Sequence, residues 1–523
     1  MKKALIKFPK YKYQDNKLVL SFTLCVKEDG LFDYETMDFV IRQGVLKSKN
    51  QLIRKKNQEY KIKCAITLTD EEIQKLDIKN PIRLICHCNG EVQEASITSR
   101  WYWGKYAGVL TDKLICIPDI RCACYFLITS KNLVLTVREM NVTDSRKERN
   151  KLALAYVLSK LLFWKKPVVL YEKNAARYEE SGSIVYERLI DRGYKNAYFI
   201  LDKEYPYKSN IKKPYQKNII DKYSFKHYLY FFAAKTFIGS ELVAHALELR
   251  AISKFVRVYI AKGKYNSVFL QHGVMYMISL DANQRNMFAP RKGRGIHRTV
   301  VSSELEKAHF VELGKYDPDS IYLTGLPKYD RNMLYEDCDK IAIMLTWRPW
   351  EERQCKIDVS QSTYFKALQE IVSGIPEQYH NRIWIMPHPL IQEKIQAQDS
   401  ELTRMLAPKE KYDDLLKQVK VLITDYSSIC YDAFYRGSNI IFYWKEKDAC
   451  VEKYGERAKL MLTEDLAFGP VCYEQKELQE AVKACVVNGQ KEEYRERYNQ
   501  IVSFHDGRNT ERLVDLLEKE NLL

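Results

Sequence analysis

VLITDYSSICYDAFYRGSNIIFY, residues 421–443, decides the fold. Val421 to Thr424 are apolar or β-favouring and run straight into Asp-Tyr-Ser-Ser. Apolar residues then recur at helical spacing up to Arg436, and Gly437 stops the pattern. Ser438 and Asn439 lead into a second apolar run, Ile440 to Tyr443. The order is strand, tight turn, helix, strand. Asp425, Ser427 and Ser428 have two uses at such a turn. Their oxygens suit a helix N-cap, where they satisfy orphan backbone N–H groups. A helix start at the carboxyl end of a parallel strand is also an anion site, and two hydroxyls add donors for phosphate oxygens. The turn alone leaves both uses open.

The same grammar extends outward. KPVVLYE, NAYFILD, TFIGS, SVFLQHG, TVVSS and SIYLTG read as short buried strands, with SGSIVYERLIDRG and SFKHYLYFFAAK as helices among them. After the linker LPKYDRNMLYEDCDK a second series follows: IAIMLTW, RIWIMPHP, VKVLITD and NIIFYW. Strands and helices alternate at the spacing of βαβ units, which predicts parallel sheets. Two α/β halves on a short linker make a cleft, and ligands bind there at the carboxyl ends of strands.

Upstream the period changes. KLVLSFTLCV, YKIKCAITL, PIRLICHC, RCACYFLI and NLVLTVRE are β-branched and aromatic runs broken by turns. They predict a sandwich-like antiparallel β domain over residues 1–145, acting as an accessory module. The α/β halves are then expected over 146–335 and 336–523. Cys86–Cys88 and Cys122–Cys124 form the tight cysteine clusters, each with both thiols on one strand face. A zinc site is one reading and core thiols in a reducing compartment the other, and the scattered, odd total of 13 favours the second.

Composition narrows the function classes. A 46% apolar chain is a folded one, and an excess of 84 Lys and Arg over 68 Asp and Glu points to an anionic partner. No zinc-finger, RRM or helix-turn-helix signature accompanies that charge, so nucleic acid is not the expected partner. The start MKKALIKFPKYKYQ lacks the apolar core of a signal peptide, and no run of about 18 apolar residues predicts a spanning helix. KLALAYVLSKLLFWKK, residues 151–166, is an amphipathic helix between basic flanks. It packs between domains or lies in an anionic membrane interface, with Leu152, Leu154, Val157, Leu161, Phe163 and Trp164 as the apolar groups.

Candidate site residues fall at strand ends. His272 and Gly273 end SVFLQ, His388 stands between two prolines after RIWIM, and Asp425, Ser427 and Ser428 end VLIT. A lone histidine is more often structural than catalytic. One at a strand end in each half is a different matter. The flanking prolines fix the backbone at His388, and Gly273 permits close backbone approach beside His272.

On these residues the chain resembles the CDP-glycerol glycerophosphotransferases of the teichoic-acid polymerase and primase type. ITDYSSICYDAFYRGSNIIFY resembles their TDYSS segment, QHG at 271–273 their first histidine motif, and PHP at 387–389 their second. TGLPKYDRNML at 324–334 is similar to their Thr-Gly-x-Pro-Arg-x-Asp, and LTWRPW at 345–350 to their Pro-Thr-Trp-Arg. The motifs stand in the family's order over roughly residues 167–475. Val274 to Met277 replace the usual Thr-Pro-Leu-Lys, Lys328 stands where Arg is common, and Leu345 replaces Pro.

The resemblance implies an α/β fold, a GT-B-like pair of Rossmann-type domains, beside the N-terminal antiparallel β domain. It implies transfer of a polyol phosphate from CDP-glycerol or CDP-ribitol to a hydroxyl of a lipid-linked cell-wall or capsule polymer, with release of CMP. No metal or other cofactor is expected, and the place of action is the cytoplasmic face of the membrane, peripherally. A neutral imidazole suits the base, and His272 lies in the acceptor half. His388, Ser427 and Ser428 would stabilise charge on the pyrophosphate. Asp425 would order the turn, with Thr346 on the donor side. Arg348 would add charge there or cover the surface. Two other readings stay open: a sugar-nucleotide glycosyltransferase on the same fold, and a non-catalytic, membrane-attached polymer-binding protein.

Overall fold

The computed structural model describes residues 1–523 apart from 1–2, 28–31, 42–43, 57–58, 77, 89–90, 99–113, 129–132, 163–164, 250, 252, 281–294, 332–333, 335, 352–354, 356–357, 399–400 and 455–458. Phe163 and Trp164 of the amphipathic stretch, Asn332 and Met333 of the Thr-Gly-Leu-Pro segment, and the side chain of Cys88 thus lie outside the described residues. Residues 1–163, 223–232 and 247–264 cluster into one compact unit, and 164–222, 233–246 and 265–523 into another.

The first unit opens with β1 (Lys3–Gln14), β2 (Lys17–Lys27), β3 (Phe32–Ile41), β4 (Gly44–Lys56), β5 (Glu59–Thr69), β6 (Lys79–Cys88) and β7 (Glu91–Thr98). Their order is β3-β4-β5-β2-β1-β7-β6, and β3 pairs again with β6, so the seven strands close into a barrel. The pairing of β1 with β7 is parallel. The expected sandwich-like antiparallel domain is therefore corrected to a closed barrel with one parallel seam. The alternation that predicted the strands is real. Leu18, Leu20, Phe22, Leu24 and Val26 of β2 stand opposite Leu68, Ile66, Cys64, Ile62 and Tyr60 of β5, and all ten are buried. Period-2 patterning fixes which residues face the core. It does not say which strand lies beside which, and closure leaves the ring without open edges.

An arm of β8 (Ile115–Ile117), β9 (Cys122–Ile128) and β10 (Leu133–Glu139) extends from β6. Cys86 and Cys124 belong to the buried core, and burial pushes the Cys124 thiol up to about 12. The helix Arg146–Leu158 follows, capped by Ser145, whose hydroxyl accepts from Glu148 N–H. Leu152 and Ala155 face inward, and Tyr156 packs edge-on against Phe232 at 5.3 Å. Leu154, Val157 and Leu161 face outward and are 53%, 60% and 62% exposed.

The second unit holds two sheets. β11 (Val168–Tyr171), β12 (Ala197–Leu201), β13 (Ile219–Asp221), β14 (Thr236–Gly239), β15 (Asn266–Phe269), β16 (His297–Val301) and β17 (Ile321–Leu323) run β13-β12-β11-β14-β15-β16-β17. β18 (Lys340–Met344), β19 (Ile383–Ile385), β20 (Val419–Thr424), β21 (Asn439–Tyr443) and β22 (Val471–Cys472) run β19-β18-β20-β21-β22. Among the described residues the strand pairings in both sheets are parallel. Chain direction across each sheet reverses once, between β11 and β14 and between β18 and β20. Ligand crevices form at such points. The helix Ser181–Asp191 packs tightly behind β11: a Cβ on Gly182 would stand 2.9 Å from Glu172 Cγ. One buried cluster contains Leu170 and Val268 of the first sheet with Leu422 and Phe442 of the second.

Candidate active site at the strand ends

The turn after β20 lies at the reversal point of the second sheet. Asp425 is buried there. Its Oδ1 accepts from the backbone N–H of Thr346 (2.8 Å), the hydroxyl of Thr346 (2.7 Å) and the N–H of Tyr426 (2.6 Å). Trp444 Nε1–H donates to the Asp425 carbonyl at 2.9 Å. Burial raises the Asp425 carboxyl and these hydrogen bonds oppose the rise. Asp425 and Thr346 thus hold two neighbouring strand ends in register. The helix Ile429–Arg436 begins immediately after, and Gly437 ends it in the left-handed region at φ +116°. Ser428 is the N-cap residue, yet its hydroxyl makes no cap hydrogen bond. Ser427 and Ser428 are both half-buried.

The first sheet meets this turn through Gly273. A Cβ added there would stand 3.6 Å from Ser428 Oγ and 4.0 Å from Lys328 Nζ. His272 is exposed beside it. Its carbonyl accepts from Lys328 Nζ at 2.8 Å, and the same ammonium pairs with Asp432 Oδ2 at 2.6 Å. Tyr329 OH donates to the other carboxylate oxygen of Asp432 at 2.9 Å. Lys328 and Asp432 therefore tie the first histidine loop to the helix that follows the two serines. Lys328 is the position where the family commonly has Arg. Asp432 and Tyr329 carried no signal beyond their places in the motif segments.

The loop Gln271–Met277 is braced from behind. Gln271 sits at φ +57°, a conformation uncommon without glycine. Its Nε2 donates to Val300 O at 2.5 Å and its Oε1 accepts from Met275 N–H at 3.1 Å. The buried Glu306 accepts from Met275 N–H (2.9 Å) and Ser302 N–H (2.6 Å), and burial pushes its carboxyl up to about 7. His309 Nε2 accepts from Leu280 N–H at 2.8 Å, and burial lowers its imidazole to about 4. Val274, Tyr276 and Met277, which stand where the family motif has Thr, Leu and Lys, are buried, and Ile278 forms a bridge with Leu460. Glu241, just beyond β14, accepts from Asn174 N–H at 2.6 Å and pairs with His245 at 3.1 Å. Burial raises its carboxyl, but these partners and the charge of nearby His272 bring it below its ordinary value.

The remaining candidates separate. His388, beyond β19, stacks on Trp347 with ring centroids 5.6 Å apart. Burial lowers its pKa, which favours the neutral imidazole. Arg348 neither covers the surface nor stands open to a ligand. It is 4% exposed and bonded to Thr363 and Glu446, which makes it an internal strut. Among the described residues no group of three or more His, Cys, Asp or Glu is placed to hold a metal ion.

Comparison with known proteins shows the family and supports the fold. A minor teichoic acid biosynthesis protein, GgaB of Bacillus subtilis, is 23% identical over 384 residues, which is 69% of this chain and 41% of that protein. The chain thus spans about two fifths of the length of that curated relative. The wall teichoic acid polymerase TagF superposes with a TM-score of 0.50 at 17% identity, over 72% of this chain and 94% of that one, which supports a shared fold. Residues 154–519 match the family model described as CDP-glycerol:poly(glycerophosphate) glycerophosphotransferase, a span that contains every candidate residue above. The chain belongs to that glycerophosphotransferase family.

Proposed function

We propose that the chain transfers a glycerol-phosphate or ribitol-phosphate unit from a CDP-polyol to a hydroxyl of a membrane-linked cell-wall or capsule polymer. The observation that carries this reading is the approach of Gly273 to Ser428, which puts the first histidine loop against the serine turn. In this mechanism the acceptor oxygen attacks the polyol-bearing phosphorus. A new P–O bond forms, the P–O bond to CMP breaks, and His272 takes the hydroxyl proton. The hydroxyls of Ser427 and Ser428 and an N–H of His388 face the charge that builds on the pyrophosphate. Asp425 and Thr346 hold the turn that presents those serines, and Arg348 fixes the segment behind it. The two parallel sheets, each with one reversal point, support a GT-B-type arrangement.

The membrane belongs to the same reading. No helix among the described residues is long and apolar enough to cross a bilayer. The outward stripe of Leu154, Val157 and Leu161, beside Lys147, Lys151 and Lys160, suits a peripheral position on an anionic surface. Changing the three apolar residues to Ser should release the chain from anionic vesicles even in high salt. Unchanged sedimentation would remove this helix from the membrane assignment.

A donor panel tests the chemistry. CDP-glycerol, CDP-ribitol and UDP-sugars are supplied with a crude lipid acceptor, and CMP or UDP release is measured. CMP release from a CDP-polyol is expected. UDP release alone points to a glycosyltransferase, and release from none of them to a binding protein.

A further inference from the structure

On the far side of Lys328 the second unit contains a cleft of about 530 Å³, within the size range of ligand pockets. Its walls come from the segments after β11 and β12, the helix Ser181–Asp191, the segment after β17 and the turn before β20. Tyr178, Tyr205, Tyr207 and Tyr215 supply ring faces, and Lys212 and Lys411 supply charge. The donor-side candidates Thr346, His388, Asp425, Ser427 and Ser428 do not line it. Lys328 does, and its ammonium is the group that holds the His272 carbonyl. The cleft therefore adjoins the proposed acceptor side of the site.

The charge of the walls selects an anion. Three carboxylates line the cleft, and each is engaged by the protein. Glu187 accepts from Tyr178 OH (3.0 Å) and pairs with Arg331 (2.8 Å). Glu179 accepts from Tyr205 OH at 2.9 Å. Asp413 pairs with Lys417 (2.9 Å) and Arg436 (2.5 Å). By contrast, Lys212 and Lys411 have no carboxylate within ion-pair distance among the described residues. Lys411 Nζ instead lies 4.3 Å from the centroid of Tyr207. One ammonium over a tyrosine face and a second in the same cleft, beside further tyrosines, fit a ligand that alternates phosphate with CH-rich polyol or sugar.

We propose that this cleft binds the phosphodiester-linked segment of the acceptor that lies behind the attacking hydroxyl. The inference rests on the transferase reading above. It makes acceptor length, rather than the terminal hydroxyl alone, a determinant of affinity.

The test uses the full chain and Lys212→Glu with Lys411→Glu. The probes are a synthetic phosphodiester-linked glycerol-phosphate trimer, monomeric glycerol 3-phosphate, and CDP-glycerol. In the variant the KM for the trimer should rise about tenfold or more. Its kcat at saturating trimer, the KM for CDP-glycerol and the KM for the monomer should stay at wild-type values. The paired Lys→Arg variant should restore the trimer KM. An unchanged trimer KM overturns the proposal. So does an equal rise for CDP-glycerol, which would make the cleft a nucleotide site. Calorimetric titration of the trimer without donor separates the two readings. If no CDP-polyol is turned over, the transferase reading fails. The cleft then stands if wild type binds trimer more tightly than monomer and the Glu variant loses that preference, and falls if trimer does not bind.

Discussion

Two buried ion pairs, one in each unit, have the same length and different surroundings. In the first unit Arg138 grips Asp144 through two bonds of 2.6 and 2.7 Å, with side chains 4% and 0% exposed. Asp144 also accepts from Asn141 N–H at 2.8 Å, so the pair closes the turn between β10 and the helix Arg146–Leu158. In the second unit Lys328 and Asp432 meet at 2.6 Å, but the lysine also holds the His272 carbonyl and borders a cleft. Arginine's planar fork serves the Asp144 carboxylate and the adjacent Glu139 carbonyl, both in one local turn. Lysine's three donors let it join segments 56 and 104 residues away. A buried pair that is spent on one turn has a structural role. One that also holds a loop beside an exposed histidine has a positioning role.

That distinction breaks first at His272. If Lys328 matters because it places this residue, His272→Ala must do more than any change to the pair. It should cut CMP release by about 10²–10⁴-fold, the usual cost of losing a general base, with CDP-polyol affinity by calorimetry near wild type. Wild-type turnover would reduce Lys328–Asp432 to the same structural role as Arg138–Asp144.

The pairs themselves come next. Asp144→Ala and Asp432→Ala each strand a buried cation and should each lower stability by about 3–5 kcal/mol. Only the second should also lower CMP release at temperatures where both variants are folded. The milder Asp432→Asn keeps a hydrogen-bond acceptor and separates placement of the His272 loop from general unfolding. Equal activity in Asp144→Ala and Asp432→Asn would erase the contrast.

Ser427→Ala with Ser428→Ala sharpens it further. Capping predicts a stability loss of about 0.5–2 kcal/mol and unchanged donor affinity. Phosphate contact predicts the reverse, with roughly 1.5–3 kcal/mol of donor binding lost per hydroxyl. Because the Ser428 hydroxyl makes no cap bond, the second outcome is expected, read by calorimetry beside a melting curve.

The two units also differ in how much of them sequence reveals. In the α/β half, a short apolar run followed by a helix leaves few ways to connect, since such crossovers are right-handed and parallel. The stretch 421–443 therefore reads through to its strand, turn, helix and strand. In the barrel the alternation of β2 and β5 is equally clear, but the parallel seam between β1 and β7 joins residues 93 apart, Lys3 with Ser96 for one, which no local pattern encodes. Within the site, residues at strand ends were legible because position alone marks them. Lys328, Asp432, Glu306 and His309 were not, because their roles come from contacts across segments. Of the two readings of Arg348, surface cover fails for a related reason: Trp-Arg in a loop looks exposed until Glu446 and Thr363 arrive from elsewhere.

The smallest effect concerns the brace behind the histidine loop. Burial lifts Glu306 from 4.5 to about 7, so the folded state holds its proton more tightly than the unfolded state does. Its contribution is fully present below pH 4.5 and is lost as the pH rises to about 7. His309 is opposite: lowered from 6.5 to about 4, it costs stability as the pH falls from 6.5. Between pH 4.5 and 6.5 the two slopes oppose each other, each at most about 1.4 kcal/mol per pH unit, so wild type should be nearly flat there as far as this pair is concerned. Glu306→Gln removes one side and leaves the other. Its melting temperature, relative to wild type, should climb with pH across that window. The buried Arg138–Asp144 pair supplies the control, since Asp144→Asn should not change the slope in this window through either of these groups. Melting curves of Glu306→Gln that stay parallel to wild type from pH 4.5 to 6.5 would mean that the carboxyl behind the loop is not held protonated by its burial, and that Glu306 braces Met275 and Ser302 as an ordinary carboxylate.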